Sequence, residues 1–205
     1  MGWADAWVAL DTETTGFGPD ARIVEIGVER FEHGQPVFSW SSLLYPPQVE
    51  WDSPRVMEAL NVNGLSREEL VGKPLFGQVY PELVDVMAGV VWVGHNIDFD
   101  LRMLVQECNN FGRTDLVQLP QVGFCTMCLA YQFEPDLTNH KLGTVAERWR
   151  VPKNGVAHRA SADARASGMI LSEMYGEVLL PDDDQRMLTL FRAAQLAWSR
   201  RRRRR

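Results

Sequence analysis

Residues 7–16 read Trp-Val-Ala-Leu-Asp-Thr-Glu-Thr-Thr-Gly, an apolar run that leads directly into two acidic residues and a glycine. In an extended strand successive side chains point to opposite faces, so Asp11 and Glu13 share one face and Thr12 points to the other. Two adjacent carboxylates at the end of a buried strand repel each other unless a hard divalent cation lies between them. Gly16 allows a sharp turn or the close approach of a substrate. The segment therefore indicates either a metal site or an acidic turn after a strand.

Two later segments carry further acidic and imidazole side chains. His-Asn-Ile-Asp-Phe-Asp occupies residues 95–100, directly after the apolar run 90–94, and His-Arg-Ala-Ser-Ala-Asp occupies residues 158–163. Each has an ordinary explanation when taken singly. A lone histidine such as His158 is usually a surface residue, and an aspartate such as Asp163 at a helix start complements the helix dipole. The occurrence of all three segments in this order is more specific than any one of them alone.

In this order the three segments resemble the motifs of the DnaQ-like 3′→5′ exonucleases with a DEDDh active site. The motifs are Asp-x-Glu-Thr-Thr-Gly, His-Asn-x-x-Phe-Asp and His-x-x-x-x-Asp, and the resemblance runs from about residue 7 to about residue 175. It implies an α/β, ribonuclease-H-like fold, in which a mixed five-stranded sheet has three antiparallel strands and then two parallel ones, flanked by helices. Because the family places its metal ligand directly after the phenylalanine, Asp100 is preferred over Asp98.

The resemblance also implies the residues of the chemical site. Asp11, Glu13, Asp100 and Asp163 are predicted to hold two Mg²⁺ or Mn²⁺ ions ~4 Å apart, as in two-metal nucleases. His158 is the predicted general base, because an imidazole with its ordinary pKa near ~6.5 is largely unprotonated at neutral pH.

A second set of residues is expected to contact the terminal nucleotide: Thr14, Thr15, Gly16, His95, Asn96 and Phe99. His95 and Asn96 are also expected to form hydrogen bonds around the strand-to-helix turn, rather than to bind metal. Phe99 is as well suited to core packing as to stacking against a base.

The activity implied is metal-dependent hydrolysis at the 3′ ends of DNA, releasing nucleoside 5′-monophosphates. Trimming of RNA ends is the first alternative, since the 2′-hydroxyl contacts that distinguish RNA from DNA are not evident from sequence. A non-catalytic, polymerase-associated adaptor is the second, and the presence of all five site residues argues against it. The predicted partners are a single-stranded or frayed 3′ end and a polymerase, with no membrane.

Within the family the chain resembles exonuclease X and the polymerase proofreading subunits. Residues 125–130 read Cys-Thr-Met-Cys-Leu-Ala, where proofreading subunits commonly begin with an aspartate, and this departure is similar to exonuclease X. The isolated Cys125-x-x-Cys128 pair is interpreted as packing, with zinc binding or redox chemistry as the alternative. Three cysteines form no even disulfide framework and favour a cytoplasmic location.

Charge limits the kind of nucleic acid that the protein can hold. The formal net charge is −6, but Arg200–Arg205 contribute six of the 21 basic residues, leaving 15 against 27 acids, or −12. Affinity for long duplexes depends largely on neutralising phosphates. An acidic body therefore argues against a general DNA-binding module and is compatible with an enzyme that grips a strand end.

Hydrophobic periodicity predicts the elements around these motifs. One strand, 22–31, alternates so that Val24, Ile26 and Val28 face the core while Glu25 and Glu29 face solvent. Helix starts are expected at Ser53 and, through a capping box, at Ser66. The other predicted strands are 7–10, 37–45, 90–93 and 120–124, and the predicted helices are 75–87, 98–109, 125–132, 141–149 and 160–174.

The 205-residue chain is predicted to form one exonuclease domain over residues 1–180. Residues 181–199 are expected to form a helix that packs on this domain, with a partner surface as the alternative. Residues 200–205 form an arginine tail. It would contact nucleic acid, act as an import-type basic run, or be a purification tail, and the last is favoured.

Overall fold

A computed structural model describes residues 6–112, 123–152 and 159–177. Within them, five strands form a mixed sheet in the spatial order β3–β2–β1–β4–β5. The first three pair antiparallel, and β4 and β5 run parallel to β1 and to each other, which confirms the predicted topology. The strands are β1 (Ala6–Thr14), β2 (Ile23–Glu32), β3 (Gln35–Leu43), β4 (Val91–Gly94) and β5 (Gly123–Cys125).

Helices flank this sheet. Ser53 caps the first of them by accepting a hydrogen bond from the amide of Val56, and Ser66 and Glu69 form the predicted capping box of the second. The helices are α1 (Pro54–Val62), α2 (Arg67–Leu70), α3 (Phe76–Met87), α4 (Ile97–Phe111), α5 (Thr126–Phe133), α6 (Leu142–Arg148) and α7 (Ala160–Glu177).

Strand β1 is longer than its apolar run predicts, since it continues through the acidic segment to Thr14. Asp11 and Glu13 are thus part of the ladder with β2, where they lie opposite Gly27 and Glu25. Regular pairing enforces the alternation of side chains, so the two carboxylates lie on one face of the sheet.

The turn from β4 into α4 is tight. At Gly94 a β-carbon would lie 3.0 Å from the carbonyl oxygen of Leu10, so β4 ends in close contact with β1. Asn96 then adopts a left-handed conformation, with φ 70°, and α4 begins at Ile97. Asp100 consequently lies in the first turn of α4, beside the carboxyl end of the central strand.

The prediction that Glu25 and Glu29 face solvent is wrong, because each is only 2% exposed. Their alternation with the apolar residues is real, but α7 covers the face on which they lie. Arg159, directly before α7, and Arg165, within it, pair with Glu25 and Glu29 at N–O distances of 3.0 and 2.7 Å. Buried carboxylates are tolerated when they are paired and hydrogen-bonded, and the pairing partners lie more than 130 residues away.

A third ion pair joins the residue directly before β2 to α4. Arg22 donates from Nε and Nη2 to the two carboxylate oxygens of Glu107, at 2.8 and 2.7 Å. The amide of Ile23 also donates to Glu107, at 3.0 Å, and Glu107 is 1% exposed. This bidentate pair holds the chain that follows the acidic segment against the helix that carries Asp100.

The two faces of the sheet are covered by different helices. Helix α7 lies on the face of Glu25 and Glu29, whereas Asp100 on α4 bonds to Thr12, whose side chain points to the opposite face. On the α7 face the rings of Trp7 and Phe31 stack at 5.5 Å between centroids.

Several predictions from the sequence fall outside the described residues. They are the first three residues of the strand expected at 120–124, the domain boundary at 180, the helix at 181–199 and the arginine tail. Among the residues that the structure does describe, every helix is too short or too polar to cross a bilayer.

Candidate active site

Three predicted metal ligands converge at the carboxyl end of β1. Asp11, Glu13 and Asp163 each offer a carboxylate oxygen, and these oxygens all lie within 4.8 Å of one another. The first two come from one face of the strand and the third from the first turn of α7, which packs across that face. We call these three residues the acidic cluster.

Asp100 lies beside the acidic cluster but is not part of it. Its Oδ1 accepts hydrogen bonds from the amide and the hydroxyl of Thr12, at 2.9 and 2.7 Å. Thr12 therefore fixes the orientation of this carboxylate from the opposite face of β1. Asp100 is 3% exposed, and its charge raises the pKa of the neighbouring Asp11.

The electrostatics of the site are those of crowded, buried acids. Burial raises the pKa of Asp11 well above its ordinary value, and the charges of Asp100, Glu13 and Asp163 raise it further. Burial, followed by the charges of Asp163 and Glu25, raises the pKa of Glu13 to about 7. Burial also raises the pKa of Asp100 to about 7, even though its hydrogen bonds from Thr12 lower it.

These residues fit a hard divalent cation. The donors are carboxylate oxygens, which Mg²⁺ and Mn²⁺ prefer, and no soft sulfur ligand is among them. The pKa values of these acids are raised because burial disfavours the charged carboxylates and because the charges repel one another. A bound cation would remove that repulsion, so the acidic cluster could hold a metal ion.

His158, the predicted general base, lies outside the described residues. Its neighbour Arg159 is described and stands directly before α7, whose first turn carries Asp163. The role of His158 therefore stays a prediction.

His95 forms the hydrogen bonds that were expected around the strand-to-helix turn. Its Nδ1 lies 3.0 Å from the hydroxyl of Thr126, and its Nε2 lies 2.8 Å from the carbonyl oxygen of His140. Burial lowers the pKa of His95 to about 4, so the ring is neutral at physiological pH. Both ring nitrogens are bonded to the protein itself, which leaves neither free for the predicted contact with substrate.

The threonines of the first motif are likewise bonded within the protein. The hydroxyl of Thr14 donates to the carbonyl oxygen of Gly16 at 2.8 Å, and that of Thr15 accepts from the amide of Arg22 at 2.9 Å. Asn63, at the end of α1, donates to the carbonyl oxygen of Thr14 at 3.0 Å. These bonds shape the turn, and its contacts to a nucleotide stay predictions, as do those of Asn96 and Phe99.

Sequence reasoning missed two residues next to this turn. Phe17 is 77% exposed, and its ring lies 5.6 Å from that of Phe99, measured between centroids. Arg55 lies across the turn, since a β-carbon at Gly16 would be 3.1 Å from its Nε. Both line a cavity of about 370 Å³, together with Thr14, Gly16, Val62 and Asn63. The sequence signal for Phe17 was an aromatic residue directly after the acidic motif, whereas nothing in the sequence marked Arg55.

The cysteine pair is buried behind the α4 turn. Cys125 and Cys128 are 4% and 3% exposed and are not joined by a disulfide. A hydrogen bond from Cys128 lowers the pKa of Cys125, and the backbone amides of Asn96 and Ile97 act in the same direction. Among the described residues, the group suited to a metal is the acidic cluster and not these thiols. Burial of both side chains agrees with the packing interpretation.

Comparison with known proteins decides the family. The model of the RNase_T exonuclease family matches residues 8–171, which include every site residue described above. The chain belongs to this family. It is a DnaQ-like 3′→5′ exonuclease, and hence a phosphodiester hydrolase.

A bacterial replication protein is among the relatives of this exonuclease. The DNA polymerase III subunit epsilon of Rickettsia conorii (strain ATCC VR-613 / Malish 7) is 31% identical over 176 residues. The match covers 84% of this chain and 73% of that protein.

Two solved structures share its fold. The nuclease domain of 3′hExo, a DEDDh family member bound to rAMP, has a TM-score of 0.74 at 15% identity, covering 87% of this chain and 96% of that one. Exonuclease X in complex with 5′ overhanging duplex DNA has a TM-score of 0.67 at 22% identity, covering 89% and 99%. Both likenesses confirm the ribonuclease-H-like exonuclease fold.

Proposed function

We propose that this exonuclease removes nucleotides one at a time from the 3′ ends of DNA and uses two divalent cations, Mg²⁺ or Mn²⁺. The observation that supports this best is the convergence of Asp11, Glu13 and Asp163 within 4.8 Å, with Asp100 beside them. Four acids from three distant parts of the chain meet at one edge of the sheet. Without cations the buried carboxylates repel one another, and with cations they become ligands for phosphodiester hydrolysis.

The chain's own residues would divide the work as follows. The acidic cluster and Asp100 would hold the ions, and Thr12 fixes the orientation of the Asp100 carboxylate. When bound, the two ions would lower the pKa of a water molecule and stabilise the departing 3′ oxygen. His158 takes the proton from that water, because a neutral imidazole is a suitable base near pH 7.

The cavity next to the turn is suited to the base of the terminal nucleotide. Phe17 lines this cavity and its ring contacts that of Phe99, and stacking on such a ring is available to every base. Arg55 is exposed and forms no ion pair within the described residues, so its guanidinium is available to a phosphate. Contacts confined to the terminal nucleotide suit an acidic protein, because they do not require it to bind a long stretch of phosphate backbone.

DNA is preferred as the substrate because two comparisons favour it. One relative is a DNA polymerase III subunit, and one structural neighbour was solved with duplex DNA. The first also supports a polymerase as a partner. RNA ends are the second candidate, because another neighbour binds rAMP. A cytoplasmic location stays a prediction, based on three cysteines that form no even disulfide framework.

A labelled-strand assay tests this proposal. With Mg²⁺, 5′-labelled single-stranded DNA should give a ladder that shortens by one nucleotide from the 3′ end, and EDTA should abolish it. The same assay on RNA of identical sequence ranks the two substrates, and blocking the 3′ hydroxyl with a phosphate probes the requirement for a free end. Faster degradation of the RNA would overturn the preference for DNA.

A pH profile tests the role of His158. The rate should rise with pH through the range in which an imidazole loses its proton, because only the neutral form accepts one. His158→Ala should flatten this rise and lower the rate by roughly 10²–10⁴-fold, the usual contribution of a general base. His33→Asn, at an exposed left-handed turn position, is the control and should leave the profile unchanged. A rise that persists in His158→Ala would assign the base elsewhere.

A further inference from the structure

One face of β2 is built to receive α7. Glu25, Gly27 and Glu29 alternate along the strand, so all three point to the same side. The two glutamates pair with Arg159 and Arg165, which lie nearly two helical turns apart. At Gly27 a β-carbon would overlap the backbone of Ala160 and Ser161, so the helix begins in direct contact with the strand. These three positions set where α7 starts along the sheet.

The Glu25–Arg159 pair has the more extensive hydrogen bonding of the two. Arg159 donates from Nε to both carboxylate oxygens of Glu25, at 3.0 and 3.3 Å, and from Nη2 to one of them at 3.1 Å. The amide of Ala160 donates to the same carboxylate at 3.4 Å. Glu25 therefore binds both the side chain before α7 and the first amide of the helix. A fork of this kind fixes orientation as well as distance.

Arg159 is linked directly to the metal-ligand candidate Asp163. The carbonyl oxygen of Arg159 accepts the backbone hydrogen bond from the amide of Asp163, at 3.0 Å, which closes the first turn of the helix. Asp163 thus lies one turn from an anchored residue. Arg159 also directly follows His158, so the same contact anchors one end of the segment that carries the predicted base.

The Glu25–Arg159 pair also places a positive charge near the acidic cluster. Glu25 lies opposite Glu13 in the ladder between β1 and β2, so the guanidinium that it binds is near a member of the acidic cluster. Directly opposed residues in such a ladder have β-carbons about 4.5–5.5 Å apart. Without Glu25, Arg159 would be left with the charges of Glu69 and Glu13, which also act on it, and an arginine bound to Glu13 would compete with a cation.

We propose that Glu25 and Arg159 form a positioning pair, which sets Asp163 against Asp11 and Glu13 and keeps the arginine away from the acidic cluster. This inference rests on the proposed role of that cluster in binding divalent cations. Glu25 and Arg159 touch neither the metal nor the substrate. They act through the placement of α7 and through the charge that Glu13 meets.

The test compares this pair with the Glu29–Arg165 pair on the same two elements. The two pairs match in residue types and burial, with glutamates that are both 2% exposed. They differ in two respects: Arg165 donates to Glu29 from Nη1, at 2.7 Å, rather than through a fork, and Glu29 lies opposite Ala9 rather than an acidic residue. Glu25→Gln and Arg159→Ala are the test variants, and Glu29→Gln and Arg165→Ala are the matched controls. Each is measured for Mn²⁺ affinity by calorimetry, for kcat and KM on a 3′ end, and for thermal unfolding.

We expect Glu25→Gln and Arg159→Ala to weaken Mn²⁺ binding and to lower kcat by about 10–100-fold, the usual effect of removing a partner that orients metal ligands. KM should change little, since neither residue contacts the substrate. The controls should lower the unfolding temperature by a similar amount while Mn²⁺ affinity and kcat stay close to wild type. Arg159→Lys, which keeps the charge but loses the fork, should recover part of the loss.

Equal effects of the two pairs on Mn²⁺ affinity would overturn the proposal, since both would then act only by docking α7. The same conclusion follows if Glu25→Gln leaves Mn²⁺ affinity unchanged. Because calorimetry needs no substrate, it decides the positioning role even if the wild-type protein does not shorten DNA. That failure would count against the proposed substrate instead.

Discussion

Asp11→Asn and Asp163→Asn should each lower the exonuclease rate by roughly 10²–10⁴-fold, the range that follows from losing about 3–5 kcal/mol when one partner of a buried charge interaction is removed. The two residues reach the same place from a strand and from a helix, and their oxygens lie within 4.8 Å of each other and of Glu13. A neutral amide keeps the shape of the side chain but loses the anionic oxygen that binds a cation.

The folded state should survive these substitutions. Burial, and then the charges of Asp100, Glu13 and Asp163, raise the pKa of Asp11 well above its ordinary value, so the ionised acids destabilise the metal-free fold. Removing one of these charges should leave the unfolding temperature of the metal-free protein unchanged or increase it. Loss of both activity and folding would mean that the carboxylates serve mainly as structural groups.

Asp98→Asn is the matched control for the charge change. Asp98 lies in the same first turn of α4 as Asp100, but it is exposed, whereas Asp100 is 3% exposed and bonded to Thr12. We expect the Asp98 variant to retain the wild-type rate and Mg²⁺ requirement. If the Asp98 variant loses as much rate as Asp163→Asn, then Asp98 and not Asp100 is the metal ligand of this motif.

Without divalent cations, the protein should lose stability as the pH rises from 4.5 to about 7, the ordinary and the folded-state pKa values of Glu13. An acid whose pKa is higher in the folded state binds more protons there than in the unfolded chain over this interval. The free energy of unfolding therefore falls with increasing pH. A shift of this size corresponds to on the order of 3 kcal/mol. Asp100, raised from 3.8 to about 7, acts in the same direction.

Urea unfolding in EDTA at pH 5 and pH 8 measures this effect, and saturating Mg²⁺ at pH 8 should restore stability because the cation binds only the folded state. Glu13→Gln removes one titrating group and should reduce the difference between the two pH values. If the metal-free wild type is equally stable at both, the acids are not crowded in the way that the structure describes.

Much of this arrangement could be predicted from short segments of sequence. The apolar run before Asp11 identified the central strand, and the alternation of Asp11 and Glu13 placed their carboxylates on one face. The position of Asp100, three residues into α4, followed from an apolar strand that ends at Gly94. These are local rules of backbone geometry, in which a few neighbouring residues suffice to determine where a side chain points.

Other features could not be predicted in this way. The buried position of Glu25 and Glu29 depends on Arg159 and Arg165, more than 130 residues later in the chain. Periodicity alone assigns charged residues to the solvent face of a strand, and it has no information about a helix that will supply their partners. The bond between Thr12 and Asp100 spans 88 residues and was equally invisible.

The sequence by itself indicated the family, the pattern of three antiparallel and then two parallel strands, and the four acids as candidate ligands, because these depend on residue types at fixed local spacings. Only the tertiary structure decided which of the acids lie together and how closely. Asp163 meets Asp11 because Glu25, Gly27 and Glu29 set the start of α7, whereas Asp100 is bonded to Thr12 from the other face of β1. The physical reason is that packing and ion pairing act between residues that are distant along the chain, and a distance of a few ångströms between them is set by the whole fold.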